Sequence, residues 1–189
     1  MIDTQPQQKI LDVGCGWSKT PGAIGMDVNP KTHADVIHDL ASIPYPFAAD
    51  EFDRVVARHV AEHVPDVMAF IAELHRVTKP GGRISIVTPH YSNPDWPTDP
   101  THRNHFNSYS FNCFVEDRSV FPFYTDVRLQ PISTYVSLAK LWRAIGFEFV
   151  VNLDQHSPAF RFTRKFWEFY LSAIIRGKEL QFEFLVVKP

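Results

Sequence analysis

The 189-residue sequence has little cysteine, no excess of charge of one sign and no long apolar run, and each absence excludes a class of protein. Its two cysteines, Cys15 and Cys113, cannot form a disulfide framework and are typical of a reducing compartment, so we expect a cytoplasmic protein. A formal net charge of -2 gives no support for nonspecific binding to nucleic acid. No apolar run approaches the roughly 20 residues that span a bilayer, and the polar N-terminus lacks the apolar core of a signal peptide.

The composition is that of an ordinary globular domain. Apolar residues make up 44% of the chain and charged residues 21%. This length suits a single domain, which we expect to span residues 1–189. A proline-rich, aromatic segment at about residues 90–136, here called the cap, is predicted to be irregular apart from one short helix near Ser108.

Strands and helices are predicted to alternate through the first half of the chain, which indicates a parallel sheet with right-handed crossovers. The predicted strands are residues 9–13, 23–27, 34–38, 52–57, 83–88, 147–151 and 180–187. The predicted helices are residues 67–77, which follow Asp66 as N-cap, residues 138–145 and residues 164–176.

Two glycines and two acids stand at the ends of successive predicted strands. Gly14 and Gly16 follow the first strand, where an open α/β sheet binds ligands and where glycine permits close approach of the backbone. Asp27 ends the second strand, and a carboxylate there can accept hydrogen bonds from both hydroxyls of a ribose. Asp39 ends the third strand, within reach of an adenine amino group. Two glycines alone indicate only a turn, whereas the combination favours a nucleoside ligand.

Competing nucleotide and hydrolase motifs fail on particular residues. Lys19 stands where a dinucleotide fingerprint requires a third glycine, and no tyrosine is followed by lysine four residues later, which disfavours a nicotinamide oxidoreductase. The sequence has no Walker loop, and Thr20 replaces the last glycine of a hydrolase nucleophile elbow.

Five strings occur in order between Lys9 and Phe106: ILDVGCG, GAIGMDVNP, HDL, IPYPFAADEFDRVVARHVAEHV and ELHRVTKPGGRISIVTPH. Together they resemble class I S-adenosylmethionine-dependent methyltransferases, and among these the small type 11 group. The resemblance implies an α/β fold, a Rossmann-like three-layer sandwich whose mostly parallel seven-stranded sheet has an antiparallel last strand. It also implies S-adenosylmethionine as cofactor and S-adenosylhomocysteine as product.

The resemblance further implies the contacts of the cofactor, with the glycines under its methionine part and Asp27 on its ribose. The implied cofactor-binding residues are Asp12, Gly14, Cys15, Gly16, Asp27, Val28, Asp39, Leu40, Arg58, His59 and His63. One departure is that the link from Gly16 to Asp27 is too short for the usual first helix. We expect the cofactor to be exposed on that side, or covered by Trp17 or a partner.

Three histidines of the cap, His90, His102 and His105, are the candidate catalytic residues. A base is needed only where the methyl acceptor loses a proton, and histidine is the natural candidate because its pKa is near 6.5. His102 is the first choice for a base or an acceptor-orienting residue, since the string Asp99-Pro-Thr-His102 resembles one on the substrate side of the group. A structural histidine that holds the loop is the alternative.

A metal site is a further alternative. His59-Val-Ala-Glu62-His63 has the spacing of the Glu-x-x-Glu-His metal site of quinone-biosynthesis O-methyltransferases, with His59 in place of the first acid. The three cap histidines and Asp99 offer further ligands for zinc. Because Glu-His-Val after the fourth strand is common in metal-free relatives, we predict no metal.

The favoured function is methyl transfer to oxygen or nitrogen of a small molecule, because the cap is short and aromatic. The alternatives are a noncatalytic methyltransferase-like partner subunit and a methyltransferase that acts on RNA or protein. The aromatic C-terminal stretch, residues 161–176, is interpreted as core packing first, and otherwise as a lid over an apolar acceptor or a homodimer face.

Overall fold

The computed structural model describes residues 8–115 and 122–188. Its strands are β1 Ile10–Val13, β2 Ile24–Asp27, β3 Val36–Ile37, β4 Phe52–Arg58, β5 Thr78–Pro89, β6 Arg128–Leu138 and β7 Gly177–Val187. They form one sheet in the order β3-β2-β1-β4-β5-β7-β6. The pairs from β3 to β5 are parallel, and β7 runs antiparallel to both of its neighbours. The predicted fold class, with its antiparallel last strand, is confirmed.

Alternation of side chains sets the register of the sheet. Phe182 and Phe184 of β7 are buried, whereas Glu183 between them points to the opposite face. On that face Arg54 Nη2 donates to Glu183 Oε1 at 3.0 Å and to Ser85 Oγ at 2.9 Å. A slip by one residue would exchange the apolar and polar faces, so the pairing is fixed by burial.

Helix α1, Val67–Val77, has the predicted bounds. It begins at Asp66, whose side chain accepts a hydrogen bond from the backbone N–H of Ala69 at 3.0 Å, as a helix N-cap does. Its apolar stripe is buried against the sheet. The other helices are α2 Lys140–Ala144, α3 Phe147–Val151, α4 Arg161–Phe166 and a π-helical turn at Trp167–Leu171. Short 3-10 turns lie at Trp96–Thr98, Asn112–Phe114, Pro122–Tyr124, Leu153–Gln155 and Pro158–Phe160.

Aromatic side chains of the cap complete the core. Phe106, Phe111 and Phe114 are buried, and the Phe111 ring meets that of Phe182 edge-on at 4.8 Å between centroids. The cap is therefore packed onto the apolar face of the antiparallel strand. Five of the sixteen phenylalanines, three in the cap and two in β7, are buried in this contact.

One predicted strand in the second half is wrong. Residues 147–151 form helix α3, which begins after Gly146 in the left-handed conformation with φ 81°. The short apolar run there has no period that separates strand from helix. The helix is fixed by Asn152, whose side chain accepts from Val136 N–H at 2.9 Å and donates to Val136 C=O at 2.8 Å.

The boundaries of the cap and of two helices also differ from the prediction. The sixth strand is Arg128–Leu138, so the irregular part of the cap gives way to a strand before residue 136. Around Ser108 the chain forms turns, followed by the 3-10 turn Asn112–Phe114, rather than a helix. The predicted helix 138–145 shortens to α2, and the predicted helix 164–176 becomes α4 with the π-helical turn, ending at Leu171.

The turn after β1 leaves no room for a side chain at Gly14. Gly14 has φ 64°, and a Cβ on it would lie 2.1 Å from Val60 Cγ2. Gly81 has a similar φ of 71°, but no atom lies within 4 Å of its would-be Cβ. A comparison of alanine substitutions at these two positions therefore separates the cost of backbone strain from the cost of a steric clash.

We expect Gly14→Ala to lower the free energy of unfolding by about 2–5 kcal/mol, because roughly 1–2 kcal/mol of left-handed strain adds to about 1–3 kcal/mol of overpacking. Gly81→Ala should cost only the strain, about 1–2 kcal/mol. Urea unfolding with unchanged m-values measures both losses. Adding Val60→Ala should recover part of the Gly14→Ala loss. Equal losses for the two alanine variants would contradict the steric account.

Candidate active site

A cavity of about 280 Å³ lies at the carboxyl ends of β1, β2 and β4. This is where an open α/β sheet receives ligands. Its lining consists of Gly14, Asp27, Val28, Asp39, Leu40, Ala41, His59, Val60, His63, Val64 and Pro65. Seven of the predicted cofactor-binding residues are in this set: Gly14, Asp27, Val28, Asp39, Leu40, His59 and His63.

The carboxylate of Asp27 is fixed at the edge of the cavity. Its Oδ2 accepts from the backbone N–H of Gly16 and its Oδ1 from that of Asn29, both at 2.9 Å. Each oxygen keeps a second lone pair for a ligand hydroxyl. Val28 next to it is 61% exposed, an apolar side chain at the rim of the cavity. A polar group for a diol and an apolar contact for a flat ring thus lie side by side.

The other four predicted residues lie outside the cavity lining, in or under the loop after β1. Arg58 Nη2 donates to Asp12 Oδ2 at 2.9 Å and to the carbonyl of Ser18 at 2.7 Å. Asp12 is 1% exposed and its Oδ2 also accepts from Thr20 N–H at 2.6 Å. Arg58 therefore anchors the loop from beneath. Cys15 is buried, which raises the pKa of its thiol.

The loop between Gly14 and β2 has no helix, as its length predicted. Lys19 instead pairs with Asp35 at 2.8 Å, and Asp35 also accepts from Gly25 N–H at 2.7 Å. Trp17 is 63% exposed and meets His33 edge-on at 5.6 Å between centroids. Trp17 is not among the residues that line the cavity.

His59 has an ion-pair partner on each side. Its backbone is in the left-handed conformation, with φ 54°. Nδ1 lies 3.4 Å from Glu62 Oε1 and Nε2 lies 3.6 Å from Glu179 Oε1. The pKa of His59 is raised, chiefly by its hydrogen bond with Glu62, although burial opposes this. Glu62 itself is buried, and its Oε2 accepts from Thr88 Oγ1 at 2.9 Å.

His63 and His102 meet where the cavity borders the cap, with ring centroids 4.8 Å apart. His102 Nδ1 lies 2.8 Å from the carbonyl of Trp96, so this nitrogen carries the hydrogen. His63 Nδ1 lies 2.9 Å from Thr101 Oγ1, which donates its own hydrogen to Asp99 Oδ1 at 2.7 Å. Thr101 must therefore accept from His63. Both rings are left with an Nε2 lone pair.

The other two candidate histidines lie in different environments, one exposed and one buried. The exposed ring of His105 stacks on Trp96 at 3.8 Å between centroids. His90 is fully buried, and its Nε2 lies 2.8 Å from Glu168 Oε1. Glu168 Oε2 accepts from Ser108 Oγ, so this pair ties the π-helical turn to β5 and the cap. A buried, paired histidine fits a structural role.

Three residues are arranged so that they could hold a metal ion. Glu62, His63 and His102 each offer one ligand atom, and these atoms lie within 4.8 Å of one another. A carboxylate and two imidazoles suit zinc or a related divalent ion. Glu62 is already engaged by Thr88 and His59.

Comparison with known proteins finds similarity to methyltransferases. The family model described as "Methyltransferase domain" (Methyltransf_11) matches residues 11–86. The chain is 35% identical over 105 residues to tocopherol O-methyltransferase of Arabidopsis thaliana, covering 43% of the chain and 30% of that protein. It is 34% identical over 113 residues to demethylmenaquinone methyltransferase of Streptomyces avermitilis, covering 50% and 47%. The chain thus spans less than half the length of these curated relatives.

A putative methyltransferase from Bacillus halodurans has a similar structure, with a TM-score of 0.59 and 14% identity over 97% of this chain and 94% of that one. The chain therefore shares the fold of this methyltransferase-like structure, with its seven-stranded mixed sheet. Residues 11–86 match the type 11 model of methyltransferase domains. None of the helices in residues 8–115 and 122–188 has the length and the apolar run that crossing a membrane requires.

We expect Glu62→Gln to lower the pKa of His59, because burial then acts against only the weaker charge of Glu179. Titration of the ring proton by NMR measures this. A folded pKa above 6.5 means that the pair stabilises the fold at low pH and that this contribution is lost as pH rises through the folded pKa. Glu179→Gln, the matched control, should lower the pKa less. An unchanged His59 pKa in Glu62→Gln would contradict the pairing.

Proposed function

We propose that the protein is an S-adenosylmethionine-dependent methyltransferase that methylates oxygen or nitrogen of a small molecule. The observation that carries the proposal is the cavity at the ends of β1, β2 and β4, where Gly14, Asp27 and Asp39 meet. Two relatives support the substrate class, since they are named for the small molecules tocopherol and demethylmenaquinone. Free Cys15 and Cys113 support a cytoplasmic location.

The residues of the cavity fit the cofactor. Asp27 keeps lone pairs for two ribose hydroxyls, and exposed Val28 offers an apolar surface for adenine. Asp39 and Leu40 lie on the same lining and would frame the base. Gly14 presents no side chain toward the ligand. Bound there, S-adenosylmethionine supplies an electrophilic methyl group, and the protein aligns the acceptor and excludes water.

The acceptor would bind where the cavity meets the cap. His63 belongs to the cavity lining and contacts His102, so the two rings connect the donor site with the cap. Nε2 of His102 would take the proton from the acceptor as the methyl group passes from sulfur to the acceptor atom, which leaves S-adenosylhomocysteine. Asp99 Oδ2, 4.0 Å from this nitrogen, would stabilise the resulting imidazolium. Trp96, stacked on His105, offers a flat apolar wall for the acceptor.

The proposed reaction uses no metal. In-line displacement at a sulfonium methyl group depends on alignment of donor and acceptor rather than on a metal ion. In the candidate set, Glu62 Oε2 accepts from Thr88, and Oε1 faces His59 Nδ1 at 3.4 Å. A noncatalytic partner subunit is disfavoured because the ion pair of Arg58 with Asp12 holds the loop under the cavity without a partner.

We expect Asp27→Ala to weaken binding of S-adenosylhomocysteine by about 1–3 kcal/mol, roughly 5- to 150-fold, because the ribose hydroxyls lose their acceptor. Isothermal titration calorimetry on the purified protein measures this. Asp126→Ala, at an exposed aspartate outside the cavity lining, is the control and should bind as wild type does. Unchanged affinity in Asp27→Ala would contradict the placement of the ribose.

We expect His102→Gln to lower kcat by about 10²–10⁴-fold while the affinity for S-adenosylhomocysteine stays the same. Uptake of labelled methyl into metabolite extracts of the cognate cells finds the acceptor and then gives the rate. His90→Gln should act mainly on folding stability, and dialysis against EDTA should leave the wild-type rate unchanged. Full activity of His102→Gln would remove it as the base. Cofactor binding without any methyl uptake would favour the noncatalytic alternative.

A further inference from the structure

The segment from α2 to the π-helical turn exposes an unusual amount of apolar surface. Ten large apolar side chains at residues 141–174 are exposed, including Phe162 at 62%, Phe169 at 65% and Tyr170 at 72%. Several of them are contiguous, since Val150, Phe162 and Phe166 line one groove and the Phe166 ring contacts that of Tyr170. A contiguous exposed apolar patch is typical of an interaction site. We call residues 139–176 the aromatic surface.

A groove runs through this surface. It has a volume of about 360 Å³ and is lined by apolar side chains of α3, α4 and the π-helical turn, with Thr163 as the one polar residue. Phe162 and Phe166 form part of the lining and are also exposed, so the groove opens to solvent along α4. The groove does not include any residue of the proposed cofactor cavity.

The exposed charges of the aromatic surface are all positive. They belong to Lys140, Arg143, Arg161, Lys165 and Arg176. Its three acids are turned inward. Glu148 accepts from Tyr135 Oη at 2.5 Å and from Leu138 N–H at 2.7 Å. Asp154 pairs with buried Arg164 at 2.6 Å, and Glu168 is buried against His90.

Basic and aromatic side chains form adjacent ridges on α4. Arg161 and Lys165 are one turn apart, and so are Phe162 and Phe166 on the neighbouring ridge. The Phe166 ring lies 5.2 Å from that of Tyr170, which extends the aromatic ridge into the π-helical turn. Long basic side chains beside an aromatic ridge are the pattern of a segment that lies in a membrane interface.

We propose that the aromatic surface docks the protein onto a bilayer that contains anionic lipids. The aromatic ridge enters the headgroup region, and the five basic side chains contact lipid phosphates. A second copy of the chain is a poorer occupant, because a two-fold interface sets the same patch against itself and opposes like charges. The proposal does not depend on the methyl-transfer function, since it uses no residue of the cavity.

The test is flotation of the purified chain with vesicles of phosphatidylcholine alone and of phosphatidylcholine mixed with phosphatidylglycerol. We expect at least tenfold stronger binding to the mixed vesicles, with a loss at high salt. Arg161→Glu with Lys165→Glu should weaken binding at least tenfold, and so should Phe169→Gln with Tyr170→Gln. Matched controls are Lys31→Glu and Phe123→Gln, exposed residues outside the aromatic surface that should leave binding unchanged.

Circular dichroism melts of all variants show whether each one folds, so that a loss of binding is read only from folded protein. Absence of binding to both vesicles, or equal binding to both, would overturn the proposal. So would equal losses in the surface variants and the controls. A concentration-dependent dimer that Phe169→Gln with Tyr170→Gln dissociates, without vesicle binding, would assign the surface to a second copy instead.

Discussion

Close contact between the turn after β1 and the segment after β4 is the constraint on which the site depends. Gly14 fits against Val60 only because it has no side chain. Its N–H and that of Cys15 both donate to the carbonyl of Met26, at 2.7 and 3.2 Å, which joins the ends of β1 and β2. The next glycine then places its N–H on Asp27. Hydrogen bonds from three successive backbone N–H groups thus hold this edge of the cavity in place.

The loop after β1 contains no helix and is held by side chains instead. Without Arg58, the buried carboxylate of Asp12 would have no counter-charge, and an unpaired buried charge is costly. Arg58, at the end of β4, reaches under the loop and binds both Asp12 and the carbonyl of Ser18. A side chain from the neighbouring strand therefore supports the loop at the edge of the cavity.

The sequence predicted those elements whose signals lie within a few residues of one another. Asp66 as N-cap and the apolar stripe after it fixed α1, and alternation fixed β7. The predicted strand at residues 147–151 was wrong because the helix there depends on the hydrogen bond between Asn152 and β6. The periodicity of the sequence gives no sign of such a contact. The contact between His63 and His102 and the burial of His90 on Glu168 join distant parts of the chain. An irregular cap gives no period from which such contacts could be inferred.

The central claim is that the cavity at the ends of β1, β2 and β4 binds the adenosyl group of a methyl donor. The most direct measurement is calorimetric titration of S-adenosylhomocysteine, and separately of NAD, into the purified wild-type protein. The account predicts binding of S-adenosylhomocysteine with a Kd in the micromolar range and no heat from NAD. Binding of NAD, or no binding of S-adenosylhomocysteine, would contradict it.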